Sequence, residues 1–423
     1  MTTTELRVEP PGLFSWWHSA GPPARRALVA ASLGWMLDAF DVMLYSMVLA
    51  ALIADLGITK QEAGLLGSLT LLASAAGGII FGVVADRAGR TRALMASVLL
   101  YSVFTGMCGL AQNLVQLAVF RVLLGLGMGG EWASGAALVS ETWSAEHRGK
   151  AFGFMQSSWA IGYAAAAAVT ALVMPRFGWR AVFFVGVLPA LFTLWIQRKV
   201  EEPEIWRSTV NRAADATTAV AMRIGDVFRG ALGRTTVAVT LMNACTMFGW
   251  WGLNLWIPGY LSLPVAQGGI GLNAYQMSAL VIAMQVGMWF GYVTFGFFAD
   301  AFGRKRAYVT YVLLAAVLLP LYGFVRNPLV LLALGPFVAF FGTGYFSGFG
   351  PLTAEIYPTA IRATAQGFTY NIGRVASAVA PFAVGSLAQS NGFAVAFSIT
   401  GVAFAFAGIA WIWIPETRGK ALD

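Results

Sequence analysis

Apolar segments of about 20 residues, the length that spans a bilayer, recur along the whole chain, and this recurrence limits the possible folds more than any other feature. Only 11% of the 423 residues are charged, whereas soluble domains carry about 25%. The sequence therefore predicts an all-α integral membrane protein. We place twelve transmembrane helices at 28–54, 64–85, 93–112, 115–139, 151–174, 180–198, 235–260, 276–299, 307–325, 329–352, 366–388 and 393–414.

The basic residues are distributed unevenly between the two sides of the predicted membrane. With the N-terminus in the cytoplasm, 21 of the 27 lysines and arginines fall in the tails or in the loops after even-numbered spans. Membrane proteins show this excess on the cytoplasmic side. The net charge of +8 thus reports topology and does not indicate a nucleic-acid partner. We expect a multi-pass protein of the plasma (inner) membrane, with both termini cytoplasmic and the long first span retained.

Two basic loops in the sequence are similar. GVVADRAGRTRA (82–93) follows the second span, and GFFADAFGRKRA (296–307) follows the eighth. The two loops are 214 residues apart, and the same offset relates Glu141 to Glu355. We call this constant offset the internal repeat. One register kept across several spans predicts two six-helix halves of like orientation. The predicted parts are a cytoplasmic tail (1–26), an N-terminal bundle (27–198), a cytoplasmic linker (199–234), a C-terminal bundle (235–414) and a second cytoplasmic tail (415–423).

These loops resemble the major facilitator superfamily. The family's loop signature is G-x-x-x-D-[RK]-x-G-[RK]-[RK], from which the chain departs at Thr91 and Ala301. The segments ETWSAEHRGKAFG (141–153) and EIYPTAIRATAQG (355–367) resemble its E…RG loops, and PETRGK (415–420) resembles a common C-terminal ending. The resemblance covers nearly the whole chain. It implies two pseudo-symmetric bundles around a central cavity that opens alternately to each side of the membrane.

Charged residues repeat at the cytoplasmic ends of the predicted helices. Such charges can pair, cap helix termini and latch the two bundles together in one state. The alternative is a solvated loop that carries positive-inside charge only. This predicted gating network comprises Asp86, Arg90, Glu141 and Arg148 in the first half and Asp300, Arg304, Glu355 and Arg362 in the second.

A few charges remain inside the spans, where an aspartate or arginine costs roughly 2.5–3.5 kcal/mol on an insertion scale. In the internal repeat, Asp38 and Asp41 correspond to Gly252 and Leu255, so the repeat does not require these two acids. Charges retained at such a cost indicate function. They are Asp38 and Asp41 on the first span, Arg121 and Glu131 on the fourth, and Arg374 on the eleventh.

The acids of the first half predict proton coupling. Asp38 and Asp41 share one helix face, and two close carboxylates in a low-dielectric site cannot both ionise cheaply. In related proton-coupled porters an acid on helix 1 pairs with an arginine at the start of helix 4, and the resemblance gives these roles to Asp41 and Arg121. Glu131 lies about 15 Å beyond Arg121 on helix 4 and is a candidate proton relay. The alternative is a static ion pair that only fixes helix packing.

Arg374 predicts an anion-binding site, because no acid lies within the predicted spans of the second half. A guanidinium near the midplane requires an anion, which we expect to be the substrate's carboxylate. The alternative is that Arg374 reaches across to Asp38 or Glu131. The predicted substrate-binding residues are Arg374, Asn371, Asn254, Gln285, Trp132 and Tyr370. Aromatic residues on the candidate cavity helices are Trp35, Phe40, Tyr45, Trp132, Trp250, Trp251, Tyr345 and Tyr370.

Two short motifs resemble particular carriers. DAFD (38–41) is similar to the D-G-F-D element of aromatic-acid/proton symporters, with Ala39 in place of glycine, and GLGMGGEW (125–132) resembles sialate and monocarboxylate/proton symporters. Together they imply proton-coupled import of a small organic anion such as a monocarboxylate, aromatic acid or sialic acid. A sugar or other metabolite symporter is the alternative, although the usual glutamine pair is absent from 243–254. A drug antiporter is less favoured, because 154–168 contains no proline.

The sequence does not favour an enzyme. It contains no Ser/His/Asp, Cys/His or metal-ligand cluster, so we expect no catalytic residues and no metal site. GLGMGG (125–130) matches a dinucleotide motif but lies inside an apolar helix without a preceding strand. Its glycines instead predict close helix packing. We expect a protein that works as a monomer, with the proton gradient as energy source and no cofactor.

Overall fold

The computed structural model describes residues 15–202, 227–228, 230–358 and 362–418. Parts of the predicted tails and linker therefore lie outside the described residues. The side chains of four residues with predicted roles also lie outside the description: Asp86, Trp132, Arg148 and Arg362. Within the described ranges all regular structure is helical.

The N-terminal half contains six principal helices. Their bounds are Pro22–Leu56 (α1), Lys60–Ala88 (α2), Arg90–Cys108 (α3), Leu114–Thr142 (α4), Ala145–Val185 (α5) and Phe192–Lys199 (α6). A short helix, Ser15–Ser19, precedes α1. The backbone of α5 is non-helical at Gly178, where φ is 76°. The end of α5, a 3-10 turn at Leu188–Leu191 and α6 together form the predicted sixth crossing.

The C-terminal half repeats this arrangement. Its principal helices are Gly230–Asn254 (α7), Ala274–Phe302 (α8), Arg304–Phe324 (α9), Pro328–Thr343 (α10), Arg362–Ser377 (α11) and Gly392–Ala410 (α12). After short breaks, α7, α10 and α11 are continued by the helices Ile257–Ser262, Phe346–Ile356 and Ala380–Ser390. The breaks thus fall on three helices of the same half.

Nine helical stretches among the described residues are long and apolar enough to cross a membrane. One of them, Gly149–Lys199, has 51 residues, which is sufficient for two crossings. The seventh and eleventh predicted spans are not among the nine. Polar residues such as Asn243 lower the mean hydropathy of α7, and the break after Ser377 leaves α11 with 16 residues. The chain is therefore a multi-pass helical membrane protein.

The packing of the helices follows the internal repeat. Helix α2 packs on α4 as α8 packs on α10, and α1 packs on α5 as α7 packs on α11. The two halves meet mainly where α5 contacts α8 and where α2 contacts the helix Ala380–Ser390. This arrangement confirms the predicted pair of pseudo-symmetric bundles.

The glycines of α4 permit close contact with its neighbours. A Cβ atom on Gly127 would lie 2.7 Å from the backbone nitrogen of Tyr101 on α3. Cβ atoms on Gly125 and Gly129 would collide with backbone oxygens of α2. The prediction that GLGMGG serves helix packing is confirmed.

Candidate functional site

Three of the predicted charged residues lie within electrostatic reach of one another between the two halves. Asp38 on α1, Glu131 on α4 and Arg374 on α11 are 1%, 0% and 4% exposed. The positive charge of Arg374 acts on both carboxyl groups, and the two carboxyl groups act on each other. Arg374 of the C-terminal half thus faces two acids of the N-terminal half, as the alternative interpretation of the sequence allowed.

These charges approach one another without forming an ion pair. Among the described contacts, Arg374 has no nitrogen within 4.0 Å of a carboxylate oxygen. Within the same part of the chain, Asp38 Oδ2 and both oxygens of Glu131 have no hydrogen-bond partner. A buried charge without a partner is strongly unfavourable. The three side chains therefore form a site that a proton or an anion would stabilise.

The carboxyl group of Glu131 rests against a gap in the surface of α1. A Cβ atom on Gly34 would lie 2.6 Å from Glu131 Oε1, and one on Gly135 would lie 3.4 Å from the same oxygen. Only a glycine at position 34 leaves this space on α1. Gly34 is not among the residues predicted from the sequence, although its position one turn before Asp38 was a usable signal.

The predicted pair between Asp41 and Arg121 is not formed in this conformation. The Arg121 guanidinium lies 4.0 Å from the centroid of the Tyr45 ring, and none of its nitrogens has a hydrogen-bond partner among the described residues. Asp41 instead lies beside the end of α5, where a Cβ atom on Gly186 would lie 3.1 Å from Asp41 Oδ1. Tyr45 lies one helical turn beyond Asp41, and its π face attracts the guanidinium instead.

Tyr101 on α3 belongs to the same buried region and was not identified from the sequence. The residue is fully buried, and within the described structure its hydroxyl group has no partner. It interacts electrostatically with Asp41, Asp38 and Glu131. A tyrosine among apolar neighbours gave no signal in the sequence, because its position relative to the acids depends on how α3 packs on α4.

The other predicted substrate-binding residues are spread over a wider region. Tyr370 lies within electrostatic reach of Arg374, and its ring centroid is 5.8 Å from that of Phe349. The Asn371 side chain donates a 2.9 Å hydrogen bond to the Gly367 carbonyl of its own helix. These contacts place Tyr370 beside the charged site, whereas Asn371 is bonded within α11.

Gln285 and Asn254 lie on helices of the C-terminal half and are both buried. Within the described residues, Gln285 Oε1 has no hydrogen-bond partner. The Asn254 side chain donates to the Trp250 carbonyl at 3.0 Å, and the Asn254 carbonyl accepts from Tyr163 at 3.0 Å. Asn254 therefore takes part in contacts between the two halves.

Four tryptophans from both halves form a buried group that we call the tryptophan cluster. Its members are Trp35 on α1, Trp159 on α5, and Trp250 and Trp251 on α7. The ring centroid of Trp159 lies 4.6, 5.6 and 6.1 Å from those of Trp35, Trp250 and Trp251, respectively. Trp159 was missed in the sequence because the QSSWAIGY segment carries no charge that would distinguish it.

The two halves are joined at the end of the bundle opposite the repeated loops, which we call the outer end. Ser46 donates to the Leu255 carbonyl at 2.7 Å. The Lys60 ammonium group donates to the carbonyls of Gln267 at 2.6 Å and Ala388 at 3.3 Å. Each of these bonds crosses from the N-terminal half to the C-terminal half. The outer end is closed in this conformation.

At the opposite end, which we call the loop end, the repeated charges pair within each half. Arg90 binds Glu141 at 2.8 Å, and Arg304 binds Glu355 at 3.1 Å and Asp300 at 2.5 Å. No ion pair in the described part of the chain joins the two halves here. Among the described side chains of the predicted gating network, the ion pairs in this conformation therefore lie inside each half.

Two further acids at the loop end, Glu202 and Glu416, occupy equivalent positions in the internal repeat. The Glu202 carboxylate accepts hydrogen bonds from the first backbone N–H groups of α3, and Glu416 does so for α9. Burial raises the pKa of Glu416, but the backbone N–H groups that bind its carboxylate outweigh this effect and hold the pKa below its usual value. Neither cap was predicted from the sequence, although both acids follow the offset of the internal repeat.

Comparison with known proteins identifies relatives along the whole chain. A model of the Major Facilitator Superfamily matches residues 31–270 and 239–423. A probable 4-methylmuconolactone transporter of Cupriavidus pinatubonensis is 34% identical and covers 97% of this chain and 95% of its own. The cis,cis-muconate transport protein of Acinetobacter baylyi is 31% identical, covering 90% and 92%. The sialic acid transporter NanX of Escherichia coli is 32% identical, covering 92% and 94%.

A solved structure shows the same fold. The crystal structure of a D-xylose–proton symporter superposes with a TM-score of 0.74 at 21% sequence identity. The match covers 94% of this chain and 99% of that protein. At this identity the likeness is evidence for the fold alone.

Proposed function

Because the chain belongs to the Major Facilitator Superfamily, whose members are transporters and not enzymes, we propose that it is a proton-coupled symporter that imports a small organic anion by alternating access. One observation carries the proposal. Arg374 of the C-terminal half lies within electrostatic reach of Asp38 and Glu131 of the N-terminal half and forms no ion pair with either among the described contacts.

The arrangement gives coupling a physical basis. When Asp38 and Glu131 are ionised, they repel an incoming anion and compete for the charge of Arg374. When they are protonated, Arg374 is available to bind a carboxylate, so proton and anion each favour binding of the other. The loaded site is then close to neutral, which lowers the cost of moving it through the low-dielectric centre of the protein.

We assign Asp41 a proton-coupling role alongside these residues, with Arg121 as its partner in another conformation of the cycle. In the conformation described, Arg121 lies on Tyr45, one helical turn from Asp41. A side-chain rotation would allow the guanidinium to approach the carboxylate. Tyr370, beside Arg374, is the predicted substrate-binding residue that the geometry supports most directly.

The names of the relatives support an organic anion as substrate. Transport proteins for cis,cis-muconate and for sialic acid each match more than 90% of their own length to this chain. We extend the class of organic acids, and no individual acid, to this chain. We further propose a location in the plasma (inner) membrane with both termini in the cytoplasm, function as a monomer, and no cofactor beyond the proton gradient.

Ligand-dependent thermal stability tests the proposed substrate class. The purified protein is heated with a panel of carboxylates and a panel of neutral sugars at acidic and at neutral pH. We expect carboxylates to raise the melting temperature, more strongly at acidic pH, because binding to the folded state stabilises it. Stabilisation by neutral sugars and not by any carboxylate would overturn the proposal in favour of a sugar symporter.

A further inference from the structure

Two residues of α3, Tyr101 and Thr105, lie one helical turn apart on one face of the helix. A Cβ atom on Gly186 would collide with the methyl group of Thr105 and would lie 3.1 Å from Asp41 Oδ1, so Thr105 is at the level of Asp41. Helices α1 and α3 run in the same direction, because α2 crosses the membrane between them. Tyr101 therefore lies one turn nearer the loop end than Asp41, close to the level of Asp38.

A second contact relates Tyr101 to Glu131. A Cβ atom on Gly127 of α4 would lie 2.7 Å from the Tyr101 backbone nitrogen, so the two residues are at the same level. Helix α4 ends at the loop end, and Glu131 follows Gly127 by one turn in that direction. On α1, Gly34 contacts Glu131 and also lies one turn nearer the loop end than Asp38. The contacts of α3 and of α1 thus give the same order of levels.

The Tyr101 hydroxyl is a neutral donor that this arrangement places among three acids. It is fully buried, has no hydrogen-bond partner in the described structure, and interacts electrostatically with Asp41, Asp38 and Glu131. Buried tyrosine hydroxyls usually find a partner. Tyr45, for example, donates to a backbone carbonyl at 2.7 Å. A donor without a described partner beside acids points to a hydrogen bond that forms when one of the acids is ionised.

Other groups that could stabilise an ionised acid at this place are engaged elsewhere. Arg121 lies on an aromatic ring, and Arg374 is the group that we assign to the substrate. The Thr105 hydroxyl donates to the Tyr101 carbonyl at 2.8 Å, and the buried Cys108 thiol is a weak donor. The other helices packed on α3, which are α2, α5 and α6, carry their charged residues near the two ends of the membrane.

We infer that Tyr101 is a positioning residue of the coupling mechanism, whose hydroxyl donates a hydrogen bond to whichever of the three acids is ionised. A hydrogen bond to the charged form of an acid favours that form. Tyr101 thereby helps the carrier to release its proton after the anion has left Arg374. The inference rests on the proposed function, because it treats these acids as the proton-coupling residues.

Infrared spectroscopy tests the inference without a ligand. Protonated carboxyl groups have an absorption band that disappears on ionisation, and the pH midpoint of this loss is measured with the full chain in detergent. Tyr101→Phe keeps the ring and removes the hydroxyl. Tyr322→Phe is the matched control, since Tyr322 on α9 is also fully buried with a hydroxyl that has no described partner. Tyr322 packs on Tyr260 in the other half, away from the acids.

We expect Tyr101→Phe to move the midpoint about one unit to higher pH, because the ionised acids lose a donor, and Tyr322→Phe to leave it unchanged. The band is assigned by its loss in Asp41→Asn, Asp38→Asn or Glu131→Gln. A purely structural role of Tyr101 would lower the melting temperature without moving the midpoint. If Tyr101→Phe does not fold, Tyr101→Met, with a flexible apolar side chain, provides the same comparison.

The outcomes separate this inference from the proposed function. An unchanged midpoint in Tyr101→Phe, or an equal shift in Tyr322→Phe, would overturn the inference and leave the proposed function standing. The absence of a carboxyl band that titrates would overturn both the inference and proton coupling through these acids. If no carboxylate of the thermal-stability panel binds, the proposed function fails, while a shift specific to Tyr101→Phe would still show that this hydroxyl stabilises the ionised acids.

Discussion

At the repeated loops, Arg90 pairs with Glu141 in the first half as Arg304 pairs with Glu355 in the second. The glycines that immediately precede α3 and α9 both have positive φ. An acidic side chain at equivalent positions of the repeat caps each of these two helices. Both halves therefore have the same turn and the same type of helix cap at the start of α3 and α9.

At the centre of the membrane the halves differ. The first half carries Asp38, Asp41 and Glu131, and the described second half has Arg374 as its buried charge at this depth. Since the shared loops do not require these charges, the difference reflects what the transporter does. We assign proton handling to the first half and anion binding to the second, with coupling where Asp38 and Glu131 face Arg374.

Removal of the positive charge from the second half should have the largest effect. Arg374→Ala removes the guanidinium that we assign to the substrate's carboxylate. We expect carboxylate affinity, measured by calorimetry, to fall about 100-fold or more, because loss of a buried charged partner costs several kcal/mol. Arg374→Lys should retain part of the affinity. Unchanged affinity in Arg374→Ala would show that the difference in buried charge between the halves has no role in substrate binding.

The acids of the first half should affect coupling more than binding. Asp41→Asn keeps the shape of the side chain but cannot release a proton. We expect the variant to exchange labelled substrate across proteoliposome membranes and to lose accumulation driven by a proton gradient. Asp55→Asn, which alters an exposed acid paired with Arg180, is the control and should accumulate normally. Full accumulation by Asp41→Asn would remove this residue from the coupling mechanism.

The space at Gly34 should have a smaller effect. Gly34→Ala places a Cβ atom 2.6 Å from Glu131 Oε1 and forces the carboxyl group to move, at a cost of about 1–3 kcal/mol for overpacking. We expect lower stability and slower uptake, with partial recovery when Glu131→Asp shortens the acid. Gly153→Ala, where no atom lies within 4 Å of the added carbon, is the control. Equal uptake by both alanine variants would contradict the described position of Glu131.

The repeated caps should give the smallest effect and should be equal in the two halves. Glu202→Gln and Glu416→Gln should each lower the melting temperature slightly. Since the pKa of Glu416 lies below its usual value, its contribution is present above the usual pKa and is lost only as the pH falls through the lowered pKa. The effect of Glu416→Gln on melting temperature should therefore be constant from about pH 6 to 8. A change within that range would contradict the described cap.

The features that sequence could predict are those repeated along the chain or marked by charge. Apolar runs and the constant offset of the internal repeat were sufficient for the helical bundles. Isolated charges marked Asp38, Glu131 and Arg374 individually, but the approach of Arg374 to the two acids was only the alternative to its predicted role in substrate binding. The predicted pair of Asp41 with Arg121 was not found in this conformation, because the guanidinium contacts the π face of Tyr45 instead of the carboxylate. Trp159 escaped prediction, because only helix packing brings it to its neighbours.

Proton flux driven by substrate tests the central claim most directly. The protein is reconstituted in liposomes that contain a pH-sensitive dye, and a carboxylate that stabilises the purified protein is added outside at equal internal and external pH. We predict acidification of the lumen that is absent in liposomes carrying Arg374→Ala, which also control for passive diffusion of the undissociated acid. Uptake of labelled carboxylate without acidification beyond that control would contradict proton-coupled symport.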